Sequence, residues 1–210
     1  MTAGAVPATK PPSPPFQVRP ARWADIGQLV ELYIVGSGEG RRFYHPFRFN
    51  PVIVRLVFTY FVLGRRLVPA LMRLFPHRAA VMIVAQSEET GEVIGFGTVR
   101  FVRRPRGLPA GKYGFLVDQR YRGRGIGTKL GEAMLATSRS LGLTEGVATI
   151  LRDNQASIKV AQRFGFRVDP SSFQDRGAPG QPTVEIQGDL REVGHGAVAP
   201  LRPRREPPPP

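Results

Sequence analysis

Residues 113–128 constrain the fold more than any other stretch, because they join an apolar run to a helical pattern through a glycine-rich turn. The run Phe115 to Val117 is of the kind that fills a buried strand. Three glycines then alternate with other residues: Gly123, Gly125 and Gly127. Behind them, three apolar residues recur at i, i+4 and i+8: Ile126, Leu130 and Met134. The stretch therefore predicts a strand, a tight turn and a helix.

The turn carries features that favour phosphate. Glycine has no Cβ and lets the backbone come close to a ligand. The free N–H groups at the start of the following helix, with the positive end of its dipole, attract phosphate oxygens. Arg122 and Arg124 add mobile positive charge. A glycine-rich turn without a ligand is the alternative, but three glycines and two arginines exceed what a turn requires.

Two common phosphate fingerprints do not fit. The dinucleotide fingerprint needs G-x-G-x-x-G and an acidic residue near the end of the next strand, whereas Val147 to Leu151 is followed by Arg152. The P-loop needs a Lys directly after its last glycine, and Thr128 stands there. What does fit is Arg122-x-x-Gly125-x-Gly127 with Val117 five residues before the arginine. That pattern resembles the coenzyme A signature of the GNAT acyltransferase superfamily.

A second block supports the same resemblance. Asn154 is a plausible N-cap for a helix over Gln155 to Phe164, which ends at Gly165-Phe166. An Asn followed by a helix closing in Gly-Phe is similar to the other GNAT hallmark. Alone, Asn154 is explained by a plain helix cap. Paired with the glycine turn at a suitable separation, the block becomes much more specific.

The resemblance covers roughly residues 16–190 and implies a fold, a cofactor and a chemistry. The fold is α/β (α+β mixed sheet), with a mixed central sheet flanked by helices, and its two central parallel strands splay around acetyl-CoA. The backbone of three residues would bind the pantetheine and polarise the thioester: Phe115, Leu116 and Val117. Seven amides would hold the pyrophosphate: Arg122, Gly123, Arg124, Gly125, Ile126, Gly127 and Thr128. Asn154 would reach the pantetheine side.

The implied reaction is N-acetylation of an amine on a protein or small molecule by direct attack in a ternary complex. One departure affects it, because the family commonly carries a Tyr four residues before the Gly-Phe pair and Ala161 stands here. A thiolate with a pKa near about 8.5 can leave without a strong acid. Three residues are base candidates by neighbourhood only: Glu92, Tyr113 and Asp118. The competing hypothesis is a non-catalytic CoA- or anion-binding module on a membrane or RNA.

Composition narrows the chemistry. The 210 residues contain no Cys and three scattered His, which excludes a thiol acyl-enzyme and disfavours a metal site. The first fifteen residues lack the apolar segment of a secretory signal, so we expect a cytoplasmic protein. The 30 Lys and Arg against 16 Asp and Glu favour anionic partners without identifying them.

Residues 41–79 form a basic, apolar segment that we predict to be a helical insertion. Between Glu39 and Glu88 there are eight arginines and no acidic residue. As a helix, Val52 to Leu63 spans about 18 Å, short of the bilayer core of about 30 Å. Three alternatives stay open: a helix packed on the sheet, forming the acceptor side or a homodimer contact; a peripheral contact with an anionic membrane through 41–78; or contact with RNA or an acidic protein. No RNA-binding motif accompanies the segment.

The remaining pattern predicts a single domain between two tails. Residues 1–15 and 191–210 are Pro-rich and predicted to be disordered. A helix is predicted over 24–35 and a loop over 103–111. Further strands are predicted by alternation or apolar runs: 16–19, 81–85, 93–102, 146–151, 166–168 and 183–186.

Overall fold

The computed structural model describes residues 14–36, 50–74, 79–103, 109–174 and 183–192. The tail predictions fall almost wholly on residues 1–13 and 193–210, which lie outside the described residues. Residues 41–49 and 75–78 of the basic segment lie outside them as well. The division into one domain between two tails therefore stays a prediction.

One mixed sheet organises the described part of the chain. Its strands are β1 (Phe16–Pro20), β2 (Ala80–Ser87), β3 (Val93–Arg103), β4 (Pro109–Val117), β5 (Glu145–Leu151), β6 (Arg167–Gln174) and β7 (Thr183–Asp189). They lie in the order β1-β2-β3-β4-β5-β7-β6. Neighbouring strands are antiparallel except β4 and β5, which are parallel. The predicted α/β class with a mixed sheet is confirmed.

The helices cover both faces of this sheet. They are α1 (Ile26–Glu31), α2 (Pro51–Leu74), α3 (Ile126–Ser140) and α4 (Gln155–Arg163). The helix predicted over 24–35 is divided, because a 3₁₀ turn at Trp23–Asp25 precedes α1 and a π-helical turn at Leu32–Gly36 follows it. Asp25 anchors this start: its two carboxylate oxygens accept hydrogen bonds from Arg19 of β1 at 2.7 and 2.8 Å.

Two apolar clusters form the core, one on each side of the sheet. Strand β2 shows the division, since successive side chains of a strand point to opposite faces. Val81 and Ile83 pack with α3, whereas Met82 and Val84 pack with α1 and α2. A run buried on both faces is why this strand reads as continuously apolar.

The glycines of β3 allow α3 to approach the strand closely. A Cβ added to Gly97 would lie 2.7 Å from Met134 Sδ of α3. A Cβ on Gly95 would lie 3.1 Å from the carbonyl oxygen of Leu116 and 3.3 Å from Leu130 Cδ1. Glycine at these positions lets α3 lie directly against β3, which places the start of α3 beside β4.

The described part of the apolar segment forms one helix, since α2 runs without a break for 24 residues. At 1.5 Å per residue it is about 36 Å long, so the length estimate made for Val52 to Leu63 alone was too short. Among the described residues, no helix is both long enough and apolar enough to span a membrane. Val54 and Phe58 of α2 are fully buried against the sheet, which agrees with the packed-helix alternative.

Several predicted strand boundaries were wrong. Residues 109–111, predicted as loop, belong to β4, because each pairs with a residue of β3. The last hairpin is longer than predicted: β6 extends to Gln174 and β7 extends to Asp189. Cross-strand pairing supplies hydrogen bonds that residue propensity does not reveal, and this extends strands beyond their apolar runs.

Candidate functional site

The parallel strands β4 and β5 separate at the centre of the sheet. They pair over three rungs only: Ala110 with Glu145, Gly111 with Gly146 and Lys112 with Val147. Beyond these rungs β4 continues to Val117 paired with β3, and β5 continues to Leu151 paired with β7. The opening leaves backbone groups of β4 from Tyr113 onward without a partner strand on that side. Such an edge can bind an extended ligand by main-chain hydrogen bonds.

The glycine turn has the backbone geometry that its glycines predict. Gly123 and Gly125 adopt φ values of 74° and 84°, in the left-handed region where other residues are strained. A Cβ added at Gly125 would meet no atom within 4 Å. The space beside this turn is therefore open, and it faces the start of α3.

The first amides of α3 are directed into this space. The first N–H that bonds back within the helix is that of Lys129, to the carbonyl oxygen of Gly125 at 3.1 Å. The N–H groups of Ile126, Gly127 and Thr128 precede it and have no intrahelical acceptor. A Cβ on Gly127 would lie 3.1 Å from Phe115 Cε2, so glycine there lets α3 contact β4 closely. Together with the helix dipole, these amides form a donor group suited to phosphate.

The arginines of the turn and its neighbour Arg120 make contacts within the turn. Arg122 Nε donates to the carbonyl oxygen of Val117 at 3.3 Å and so ties the turn to the end of β4. The guanidinium of Arg124 lies 5.6 Å from the ring centroid of Tyr121, and that of Arg120 lies 5.5 Å from it. These contacts hold positive charge beside the amides of α3.

A cavity of about 440 Å³ lies between β4, β5, α3 and α4, and the open edge of β4 and the glycine turn both line it. Ten of the eleven predicted cofactor-binding residues line it: Phe115, Leu116, Val117, Arg122, Gly123, Gly125, Ile126, Gly127, Thr128 and Asn154. The exception is Arg124, which stacks on Tyr121 at its margin. Residues from two distant sequence blocks therefore meet in one space, as the paired motifs imply.

Asn154 has the capping role that its position predicts. Its side-chain oxygen accepts a hydrogen bond from the Ser157 N–H at 3.2 Å, which caps the start of α4. The residue also lines the cavity. Since capping uses only the oxygen of the amide, the geometry is compatible with a cap that also contacts a ligand through its NH₂ group.

Ser157, Phe164 and Gly131 form a side of the cavity that was not predicted from the sequence. Ser157, Ala161 and Phe164 line the cavity from the α4 segment, at a spacing of i, i+4 and i+7. Gly131 of α3 lines it too, and a Cβ there would lie 2.5 Å from Phe164 Cε2. The signal was available, because this spacing places the three side chains on the face of α4 that begins at Asn154.

Two of the three base candidates lie away from the cavity. Glu92 is exposed in the β2–β3 turn, with Oε2 3.8 Å from Arg120 Nη2. Asp118 is buried and caps the 3₁₀ turn Gln119–Tyr121, accepting from the Arg120 N–H at 2.8 Å and from its guanidinium. Neither residue lines the cavity. Their contacts organise the turn beside it.

Tyr113 does line the cavity, but its hydroxyl points inward. The hydroxyl donates to Ser138 Oγ of α3 at 2.8 Å, and Ser138 donates in turn to the carbonyl oxygen of Met134. Burial of this hydroxyl raises the pKa of Tyr113 above its ordinary value, against an opposing effect of the Ser138 hydrogen bond. The phenol therefore stays protonated near neutral pH, which does not suit a general base.

Within the described part of the chain, no three His, Cys, Asp or Glu side chains lie together as potential metal ligands. The cavity instead presents main-chain donors, positive charge and apolar walls. It is suited to bind and orient an extended anionic molecule.

Comparison with protein families identifies a relationship that includes this cavity. Residues 53–166 match the Acetyltransferase (GNAT) family. The match begins inside α2 and ends at Phe166, so it includes both motif blocks.

Curated relatives agree over shorter regions. The chain is 30% identical over 80 residues, 38% of its length, to the L-amino acid N-acetyltransferase AaaT of Escherichia coli K12. It is 32% identical over 92 residues, 43% of its length, to an L-methionine sulfoximine/L-methionine sulfone acetyltransferase of Pseudomonas aeruginosa. The chain spans about half the length of these relatives, 49% and 54% respectively.

Solved structures share the fold. The yncA putative acetyltransferase of Salmonella typhimurium, with its cofactor acetyl-CoA, superposes with a TM-score of 0.65 at 19% identity, covering 87% of this chain and 96% of that one. RimL, a ribosomal L7/L12 alpha-N-protein acetyltransferase in complex with coenzyme A, gives 0.64 at 20% identity, with coverages of 85% and 96%. At these identities the likeness establishes the fold.

Proposed function

This chain belongs to the GNAT family of acetyltransferases, and on that premise we propose that it transfers an acetyl group from acetyl-CoA to a primary amine. The observation that carries the proposal is the meeting of two motif blocks in one cavity. The glycine turn supplies helix-start amides at one end, and the separated edges of β4 and β5 supply main-chain groups at the other.

The residues of the cavity fit acetyl-CoA. The amides from Arg122 to Thr128 would hold its pyrophosphate, and Gly125 leaves open space where that group would lie. The backbone of Phe115 to Val117 and the side chain of Asn154 would bind the pantetheine. When bound, acetyl-CoA supplies the acetyl thioester that a deprotonated amine can attack.

The chain's own contribution to the reaction is orientation and charge stabilisation. Main-chain N–H groups on the open edge of β4 are fixed donors that can stabilise negative charge developing on a carbonyl oxygen. Holding the two reactants together replaces a bimolecular encounter by an oriented one. Because the methyl side chain of Ala161 has no proton to donate, we propose that water protonates the departing thiolate.

The names of two relatives support a proposal for the acceptor class. The names of AaaT and of RimL specify an amino acid amine and a protein alpha-amine respectively. We propose a small-molecule or N-terminal primary amine for this chain, and we keep the cytoplasm as the predicted compartment.

A second candidate function is a CoA-binding module without turnover. Ala161 favours it, because this cavity-lining position offers no proton donor to a leaving thiolate. The two candidates share the binding cavity and differ only in the fate of the thioester.

Turnover with thiol detection separates them. The full chain is incubated with acetyl-CoA and a panel of free amino acids, polyamines and peptide N-termini, and release of CoA is followed with time. We expect amine-dependent release together with a raised melting temperature in acetyl-CoA. A raised melting temperature without release on any acceptor supports the binding module. Absence of both effects contradicts the cofactor assignment itself.

A further inference from the structure

The outer side of α2 is the surface that the proposed function leaves unexplained. Among the described residues, every exposed large hydrophobic side chain lies between positions 23 and 63, in the layer of α1, its flanking turns and α2. They are Trp23, Val35, Val52, Ile53, Leu56, Tyr60 and Leu63. The described residues of α3 and α4 expose none. This asymmetry separates the layer from the cavity side of the sheet.

The exposed residues of α2 form a row. Val52 and Leu56, which are 66% and 64% exposed, are followed by Tyr60 and Leu63 at a spacing of i, i+4, i+8 and i+11. At 100° per residue these positions share one side of the helix. The opposite side carries the residues that pack into the core: Val54, Phe58, Phe61 and Val62. The helix is therefore apolar on two opposite sides. Within the described chain, one side packs into the core and the other is exposed.

The positive charge of α2 favours an anionic partner. Four arginines belong to α2: Arg55, Arg65, Arg66 and Arg73. No acidic residue occurs from position 40 to 87. Among the described residues of the layer, Glu31 of α1 is the one exposed carboxylate. An apolar row in a basic helix that does not span a bilayer is the pattern of an interfacial helix.

Other occupants fit this surface less well. A symmetric contact with a second copy would bring two arginine-rich helices together, and like charges across an interface are unfavourable. Single-stranded nucleic acid is bound mainly by aromatic stacking, whereas the row is mostly aliphatic. Anionic lipid offers both an apolar phase for the row and negative headgroups for the arginines.

We propose that the outer face of α2, defined by Val52, Leu56, Tyr60 and Leu63, docks on an anionic lipid surface. The inference goes beyond acetyl transfer and does not depend on it. None of the cavity-lining residues belongs to α1 or α2. The proposed docking face therefore takes no residue from the cavity.

Vesicle flotation tests the proposal with the full chain. The probes are vesicles of phosphatidylcholine alone and of phosphatidylcholine mixed equally with phosphatidylglycerol, each at low and high salt. Two variants add a negative charge to the row, Leu56→Glu and Val52→Glu. Gln162→Glu adds the same charge on exposed α4 and serves as the matched control.

We expect binding to the mixed vesicles only, weakened by salt, unchanged in Gln162→Glu and reduced by about tenfold or more in each row variant. Equal melting temperatures and equal acetyl-CoA shifts in the variants show that fold and cavity are intact. Binding that is absent, or that survives both row substitutions, overturns the proposal. A dimer in gel filtration that Leu56→Glu converts to a monomer also overturns it, since the face is then a contact between copies.

Discussion

Gly131 of α3 and Phe164 at the end of α4 are matched in shape: a Cβ on Gly131 would lie 2.5 Å from Phe164 Cε2 and 3.0 Å from Cζ. Both residues line the cavity. Because Gly131 has no side chain, α3 leaves room for the Phe164 ring at the end of α4. This contact joins the two motif blocks of the sequence through packing rather than through the ligand.

Gly131→Ala tests this match in a double-mutant cycle. In the wild-type background the added methyl displaces the ring, and we expect a loss of about 1–3 kcal/mol in the free energy of unfolding. With Phe164→Ala already present the clash is gone, and Ala is the better helix former by about 0.5–1 kcal/mol. The same substitution should then stabilise the protein. Denaturant unfolding of all four proteins measures both values, and a cost of equal size in both backgrounds contradicts the contact.

Gly125→Asp should weaken acetyl-CoA binding specifically. Gly125 and Gly142 stand at opposite ends of α3, with φ values of 84° and 75° and open space beside each. An Asp side chain at either position meets similar backbone strain, but only the substitution at Gly125 would set a negative charge beside the proposed pyrophosphate site. We expect at least about a tenfold rise in Kd, about 1.4 kcal/mol, for Gly125→Asp and little change for Gly142→Asp. Calorimetric titration with acetyl-CoA provides the measurement.

Gly125→Asn completes that comparison, because it introduces a side chain of similar shape without the charge. Intermediate affinity in the Asn variant is the expected result. Equal affinity in wild type and Gly125→Asp would remove the glycine turn from the cofactor site.

Tyr113→Phe should reduce the loss of stability at alkaline pH. Burial holds the pKa of Tyr113 above its ordinary value of about 10. Between the unfolded and folded pKa values the native state keeps a proton that the unfolded state has lost, so stability falls as pH rises above about 10. The variant lacks this contribution. At neutral pH it should lose about 1 kcal/mol with the hydrogen bond to Ser138.

Unfolding measured at neutral pH and above pH 10 provides both values. Ser138→Ala is the control, because it keeps the phenol and should keep the alkaline decline. A decline of equal slope in wild type and Tyr113→Phe would contradict the buried hydroxyl.

Ala161→Tyr should accelerate turnover if protonation of the thiolate limits the rate. Ala161 lines the cavity, so a phenol there can reach its interior. We expect a severalfold rise in kcat, below the 10²–10⁴ typical of general acid catalysis, because a thiolate with a pKa near about 8.5 is already a good leaving group. Ala161→Phe matches the bulk without the proton and should bring no gain. Equal rates in the two variants would show that the hydroxyl contributes nothing.

The strand, glycine turn and helix at residues 113–128 were predictable because their signals are local. Left-handed φ values at Gly123 and Gly125 follow from a tight turn, and the apolar spacing of α3 follows from its period. Asn154 was predictable as a cap for the same reason. The length of the helix in the basic segment was underestimated, because its arginines interrupt the apolar pattern. The structure has one continuous helix, α2, and one of its sides packs on the sheet.

By itself the sequence determined where the backbone can turn, where helices begin and which stretches must be buried, since these depend on residues close together in the chain. The family resemblance implied that two central parallel strands splay, but only the tertiary structure decided that β4 and β5 part after three rungs, that Phe164 packs against Gly131, and that Tyr113 turns its hydroxyl to Ser138. Those facts depend on contacts between residues far apart in sequence. Such contacts are selected by packing and hydrogen bonding of the whole fold, which no local pattern encodes.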